Sequence, residues 1–236
     1  MGAAPAIPHF LFDLDGVVVD SNQLHVESWK EVARRHRFDC PDPDHIGKCG
    51  LRTGAVIRDL LRWPVTEAEA AQIGFEKEEI YRAWIRAGGI RPIPGVREFL
   101  AQARQLGIRC AVGSSAPREN VDLCLQALHL EDTFAATVSG ADVQRGKPAP
   151  DIFLKSAERI GADPRQCLVF EDAPAGIAAA HAAGMRAIGL LTSHTREEIA
   201  AADTLALDFT ALAPRTVQAA WRPRSAPLSG AGATVP

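Results

Sequence analysis

The sequence has little lysine, no paired cysteines, no long apolar run and no excess of charge of one sign. Its five cysteines (Cys40, Cys49, Cys110, Cys124, Cys167) are scattered, odd in number and form no CxxC pair. Neither a disulfide framework nor a zinc site is signalled, and a reducing, cytoplasmic setting is expected. No apolar run approaches ~18 residues, so a membrane-spanning helix is excluded. Met1 to Phe10 has no basic n-region and no long apolar h-region, so a secretory signal is not expected. A net charge of −3 gives no electrostatic reason to expect nucleic acid. No internal repeat is present. Only 5 Lys stand against 21 Arg, which singles out each lysine for a separate reading.

What is present is the composition of a globular chain. The 236 residues are 47% hydrophobic and 23% charged, enough to bury one large core or two small ones. Short apolar runs at 9–12, 108–112, 136–138, 167–170 and 187–190 read as strands. Helical patterns at 96–106, 118–128, 150–160 and 175–183 separate the later ones. Apolar strands alternating with helices predict a parallel sheet covered on both faces. Gly107, Gly161 and Gly184 each follow a helix, where a left-handed residue is wanted.

One stretch breaks the alternation. Residues 22–36, 53–61 and 67–85 carry only helical patterns, so 21–91 is predicted to be an all-helical insertion. Residues 1–20 and 92–221 would then form the α/β core, of Rossmann-like type. The exits, 16–20 and 88–95, hold the glycines and prolines that suit a hinge. The Pro/Gly/Ala-rich tail, 222–236, is expected to be disordered, as are the first eight residues. Three of the four tryptophans (Trp29, Trp63, Trp84, with Trp221 apart) fall at packing positions of the helical stretch. No long amphipathic seam is present, and a monomer is the default.

Ligands of an open parallel sheet bind beyond the carboxyl ends of its strands. The first strand runs into Asp13 and Asp15, whose carboxylates share one side of an extended segment. Such a pair repels unless a cation or a proton lies between its members. A polar turn closed by Asp15-Gly16 accounts for the pair equally well. The second strand ends in Ser114-Ser115, where hydroxyls and free amides at a helix N-terminus suit an anion, or simply a cap. Lys147 is held between Gly146 and Pro148, on a turn rigid enough to set its ammonium on a phosphate. The fourth strand ends in Glu171-Asp172, which suit a helix cap or a hard cation such as Mg²⁺. Together these groups lie at one edge of one sheet. An anionic nucleophile and a phosphate would there be brought together by Mg²⁺ and Lys147.

The phrases DLDGVVVDS, VGSSAPREN, GKPAPDIF and VFEDAPAGI, in this order, resemble the four motifs of the haloacid dehalogenase-like superfamily of phosphotransferases. The resemblance covers roughly Phe10 to Leu212, and is greatest to the β-phosphoglucomutase and sugar-phosphatase branch with its helical cap. It implies a phosphatase for a small phosphorylated metabolite, with the hexose phosphomutase as alternative and a non-catalytic binding module of the same fold as a third reading. It implies Asp13 as nucleophile, Asp15 as general acid and base, and Ser114, Ser115 and Lys147 as phosphate ligands. Mg²⁺ would be bound by Asp13, the Asp15 backbone carbonyl and Asp172, with Glu171 in support. The acid at Asp15 separates the chain from the dehalogenases and phosphonate hydrolases, which lack it. In the cap, His25 and Lys77 match residues of the mutase. The mutase also holds a remote second phosphate with a cap Arg and with Ser, Lys and Asn after the second strand. Here those positions differ, and Arg52 or Arg118 are the candidates to replace them. Ala173 stands where the family often has Ser.

Overall fold

In the computed structural model, residues 8–222 are described. Beyond Arg222 the tail predicted to be disordered lies outside them, as do the first seven residues. The central strand β1 (His9–Phe12) pairs in parallel with β4 (Cys110–Gly113) on one side and β6 (Cys167–Glu171) on the other. Beyond β4 lies β5 (Ala136–Val138), and beyond β6 come β7 (Arg186–Leu190) and β8 (Thr204–Ala206), all parallel. The spatial order β5-β4-β1-β6-β7-β8 reverses direction at β1, so a crevice opens beyond its carboxyl end.

Residues of β1 are buried on both faces, which is why the strand reads as an unbroken apolar run. Phe10 and Phe12 face a cluster of aromatic rings, with Phe12 stacked on Phe170 at 4.8 Å and Phe10 on Phe99 at 5.6 Å. Leu11 faces the other layer, against Ala111, Val169 and Phe153. Helices α5 (Val96–Gln105) and α6 (Arg118–Ala127) cover the first face, and α7 (Asp151–Arg159) and α8 (Pro174–Ala182) the second.

The regular elements of the insertion are all helical. They comprise α1 (Asn22–His36), α2 (Pro43–Lys48), α3 (Thr53–Ala55), a π-helical turn (Val56–Leu61) and α4 (Glu67–Arg86). Trp29, Val32, Ile57, Trp63 and Ile80 belong to an apolar cluster of these helices alone. Tyr81 and Ile85, on the far face of α4, are buried in the core under the sheet instead. A full capping box between Thr66 and Glu69 starts α4. The two chain crossings pair as a short antiparallel ladder, β2 (Val19–Asp20) with β3 (Arg91–Pro92).

Several elements depart from the sequence reading. The 53–61 pattern is one α-turn followed by a π-helix rather than a single α-helix. Helix α2 was not expected, because its six residues include Pro, Gly and Asp and are too few to show a period. Strand β8 is an edge of three partly exposed residues with no apolar run, and α9 (Pro214–Ala220) buries only Pro214 and Val217.

Candidate active site

Each group named from the sequence after a strand lies at the carboxyl edge of the sheet. Asp13 directly follows β1 and is 4% exposed. The chain then turns sharply through Gly16, whose φ of +75° is left-handed and where a Cβ would collide with the Asp172 carboxylate. That turn sets Asp13, Asp15 and Asp172 around one cavity of about 60 Å³, also lined by Ser114, Ser115 and Lys77.

Lys147 is buried behind Asp13. Its ammonium lies 2.8 Å from Asp13 Oδ1 and 2.5 Å from Glu171 Oε1. Glu171 is fully engaged, since its Oε2 accepts the backbone N–H of Asp172 and Ala173 at 2.7 and 2.8 Å. Burial alone would lower the pKa of Lys147, but the charges of Asp13 and Glu171 outweigh it and raise it. Asp13 is raised from 3.8 to about 7, first by burial, with Lys147 opposing and Glu171 and Asp15 adding. Asp172 is raised as well, by burial and then by Glu171 and Asp13.

Asp13, Glu171 and Asp172 offer carboxylate oxygens within 4.8 Å of one another, all buried. Three carboxylates against one ammonium leave negative charge without compensation in a place that water cannot solvate. An all-oxygen set of this kind fits a hard divalent cation. Burial and the neighbouring carboxylates raise the pKa values of Asp13 and Asp172, as such a deficit of positive charge requires.

Asp15 is held differently. Its Oδ1 receives Ser21 Oγ at 2.5 Å, lies 3.1 Å from His25 Nε2, and receives the Tyr81 hydroxyl at 3.1 Å. Burial pushes its carboxyl up, yet His25 beside it and the hydrogen bonds from His25, Ser21 and Tyr81 outweigh it and hold it well below the usual range. Three of its neighbours therefore come from the helical insertion or its entry. His25 stacks on Tyr81 at 4.1 Å and passes the contact on, with Nδ1 2.8 Å from Lys77 Nζ. Because Lys77 donates, Nδ1 accepts, and Nε2 carries the proton that faces Asp15.

The chain of polar contacts continues past Lys77. Its ammonium lies 3.2 Å from Glu78 Oε1, and Glu78 Oε2 accepts from Asn120 Nδ2 at 2.7 Å. Asn120 Oδ1 accepts from Arg82 at 2.7 Å. Burial raises the Glu78 carboxyl, but Lys77, His25 and the hydrogen bonds from Thr53 and Asn120 hold it below its usual value. Tyr81, Glu78, Arg82 and Asn120 were not singled out from the sequence. Each is an ordinary helix residue there, and only the crossing of α4 over α6 makes them neighbours.

Ser114 is buried, and its Oγ accepts the Ala116 N–H at 3.1 Å. Ser115 Oγ is buried in the cavity wall and has no hydrogen-bond partner among the described residues. The two arginines expected to reach substrate do not line the cavity. Arg118 is drawn to Asp142 and donates to Thr137 Oγ1 at 2.8 Å. Arg52 donates to the carbonyls of Gln144 and Val143. The Arg118 guanidinium and the two Nη groups of Arg52 are thus held by oxygens of this chain, while Arg52 Nε is buried with no hydrogen-bond partner among the described residues. Lys48, given no role from the sequence, does line the cavity and has no ion pair among the described residues.

Comparison with known proteins places the chain in context. The model of the haloacid dehalogenase-like hydrolases matches residues 7–184. A validoxylamine A 7′-phosphate phosphatase of Streptomyces hygroscopicus is 32% identical over 85% of this chain and 93% of its own. The fructose-1-phosphate phosphatase YqaB of Escherichia coli is 32% identical over 75% of this chain and 93% of its own. The crystal structure of β-phosphoglucomutase from Clostridium difficile superposes with a TM-score of 0.80 at 25% identity, over 90% of this chain and 96% of that one.

Proposed function

The chain belongs to the haloacid dehalogenase-like hydrolase family and is a phosphoric monoester hydrolase, and from that premise we propose that it dephosphorylates a small sugar phosphate or phosphoglycolate-like metabolite through a phosphoryl group carried on Asp13. The observation that carries this reading is the pairing of Asp13, backed by the buried Lys147, with an Asp15 tied to the helical insertion, the two aspartates lining one small cavity.

In this reading an Asp13 carboxylate oxygen forms the bond to phosphorus while the ester P–O bond breaks. Asp15 gives its proton to the departing oxygen. It then takes a proton from a water whose oxygen attacks phosphorus, the Asp13–O–P bond breaks, and inorganic phosphate leaves. The ionised Asp15 favoured by His25 and Tyr81 is the form that the second half needs. The contacts from Lys77 through His25 lead to the same carboxylate and give its proton a route. Lys147 and the unpartnered hydroxyl of Ser115 are donors for the phosphoryl oxygens, with Ser114 bracing the loop. Asp13, Asp172 and the Asp15 backbone carbonyl would hold Mg²⁺, supported by Glu171, and bound Mg²⁺ would offset the charge that keeps two anions apart.

The choice of phosphatase over phosphomutase rests on the two arginines. A mutase needs a second phosphate held far from the nucleophile, and both Arg52 and Arg118 are occupied elsewhere. The small cavity favours a small ester. The test is a panel of sugar phosphates, phosphoglycolate and β-glucose 1-phosphate with a trace of glucose 1,6-bisphosphate, incubated with Mg²⁺. Free phosphate from one or a few esters, lost with EDTA, is expected. Glucose 6-phosphate formed without free phosphate would make the protein a mutase. Turnover of a phosphoprotein alone would overturn the small-substrate reading.

A further inference from the structure

We propose that Arg52 is a positioning residue, one that sets the helical insertion in register with the loop bearing Lys147; the role rests on the phosphatase reading above. Arg52 Nη2 donates to the Val143 carbonyl at 2.8 Å and Nη1 to the Gln144 carbonyl at 3.0 Å. Those carbonyls belong to the segment that runs directly on to Lys147. A guanidinium presents its donors in a rigid planar fork, so two adjacent carbonyls fix its direction as well as its distance.

The stem of the same side chain lies over Gly146. A Cβ there would stand 3.1 Å from Arg52 Nε, 3.2 Å from Cδ and 3.3 Å from Cγ. Gly146 is not among the residues with positive φ, so its own backbone does not call for glycine. With a Cβ there, the arginine stem lying across it would have to give by a few tenths of an ångström. Two residues earlier, a Cβ on Gly50 would come within 3.2 Å of Ala173 Cβ. One residue later, Thr53 donates to Glu78, the partner of Lys77. The stretch 50–53 thus touches the residue after Asp172, the residue before Lys147 and the carboxylate beside Lys77. The groups that would hold the phosphoryl oxygens and the groups that reach Asp15 are set against each other through this one segment.

A displacement of ~1 Å far from the reacting atoms can cost about 10²-fold in rate. Arg52→Ala is therefore expected to lower kcat/KM by about tenfold or more, and by one common factor for every ester that the protein hydrolyses, p-nitrophenyl phosphate included. The common factor follows because Arg52 holds main chain and does not line the cavity. Arg52→Lys, which keeps the charge but lacks the planar fork, should recover part of the loss. Gly146→Ala should lower activity in the unaltered chain, by displacing the Arg52 stem, and cost nothing further in the Arg52→Ala background. Full activity in Arg52→Ala would overturn the proposal. So would a loss confined to esters with a second anionic group, which would make Arg52 a substrate contact, or an equal cost of Gly146→Ala in both backgrounds. Where Arg52→Ala does not fold, Arg52→Lys and Gly146→Ala carry the same comparison. A failure of the phosphatase reading is a separate result, seen as no phosphate release by the unaltered chain.

Discussion

Asp13→Asn should abolish turnover and yet stabilise the metal-free protein at alkaline pH. The Asp13 carboxyl is raised from 3.8 to about 7, chiefly by burial, with Lys147 opposing and Glu171 and Asp15 adding. Between those two values the unfolded chain has lost this proton while the folded chain keeps it. The folded state is then favoured by low pH, and stability is lost as pH rises through about 7. At about 1.36 kcal/mol per tenfold change in proton affinity, the full span amounts to roughly 4 kcal/mol. About 3 kcal/mol of it falls between pH 5 and pH 8. Asparagine has the same shape and no charge to bury, and Lys147 retains Glu171 as partner. The assay is urea unfolding of both proteins in EDTA at pH 5 and pH 8. The stability difference in favour of Asp13→Asn should grow by about 3 kcal/mol across that interval. A difference that stays constant, or shrinks, would refute the claim that Asp13 is an uncompensated buried acid.

The same charge deficit yields two further expectations, and the role proposed for Asp15 a third. Mg²⁺ should raise the thermal midpoint more at pH 8 than at pH 5, because it competes with protons at Asp13 and Asp172, and Asp172→Asn should lose most of the effect; equal shifts at both pH values would contradict this. Lys147→Met leaves two buried carboxylates without their cation, so it should cost about 3–5 kcal/mol at pH 8 in denaturant unfolding, and less at pH 5 where Asp13 is protonated. Asp15→Asn should lower kcat on a sugar phosphate by about 10²–10⁴-fold. On p-nitrophenyl phosphate, whose leaving group needs no proton, stopped-flow should show a burst of p-nitrophenol followed by slow turnover.

The polar groups at the carboxyl edge of the sheet were legible because they lie in the segments after apolar strands, and parallel strands end at one edge. The acids at Asp13 and Asp172, the hydroxyls at Ser114 and Ser115, and Lys147 could be placed together from that rule alone. Alternation of strand and helix likewise gave five of the strands of the sheet, whereas β8 is too short and too exposed to leave a trace. The contacts made across the insertion were not legible. Tyr81 reaches Asp15 only because α4 crosses the entry turn, and Asn120 meets Glu78 only because α4 lies over α6. Arg52 and Arg118 show the opposite limit. A sequence presents an arginine as a free charge, but the fold supplies Asp142 for one and two backbone carbonyls for the other. Residue identity announces what a group could hold, and only packing decides what it does hold.

The most direct test of the central claim is to trap the phosphoryl group. Asp15→Asn mixed with p-nitrophenyl phosphate and Mg²⁺ can be quenched in acid during the burst, reduced with borohydride and digested for mass spectrometry. The peptide containing Asp13 should carry homoserine at that position in proportion to the p-nitrophenol released, and Asp13→Asn should give neither. A burst with no modified Asp13, or with the modification on another residue, would contradict the account.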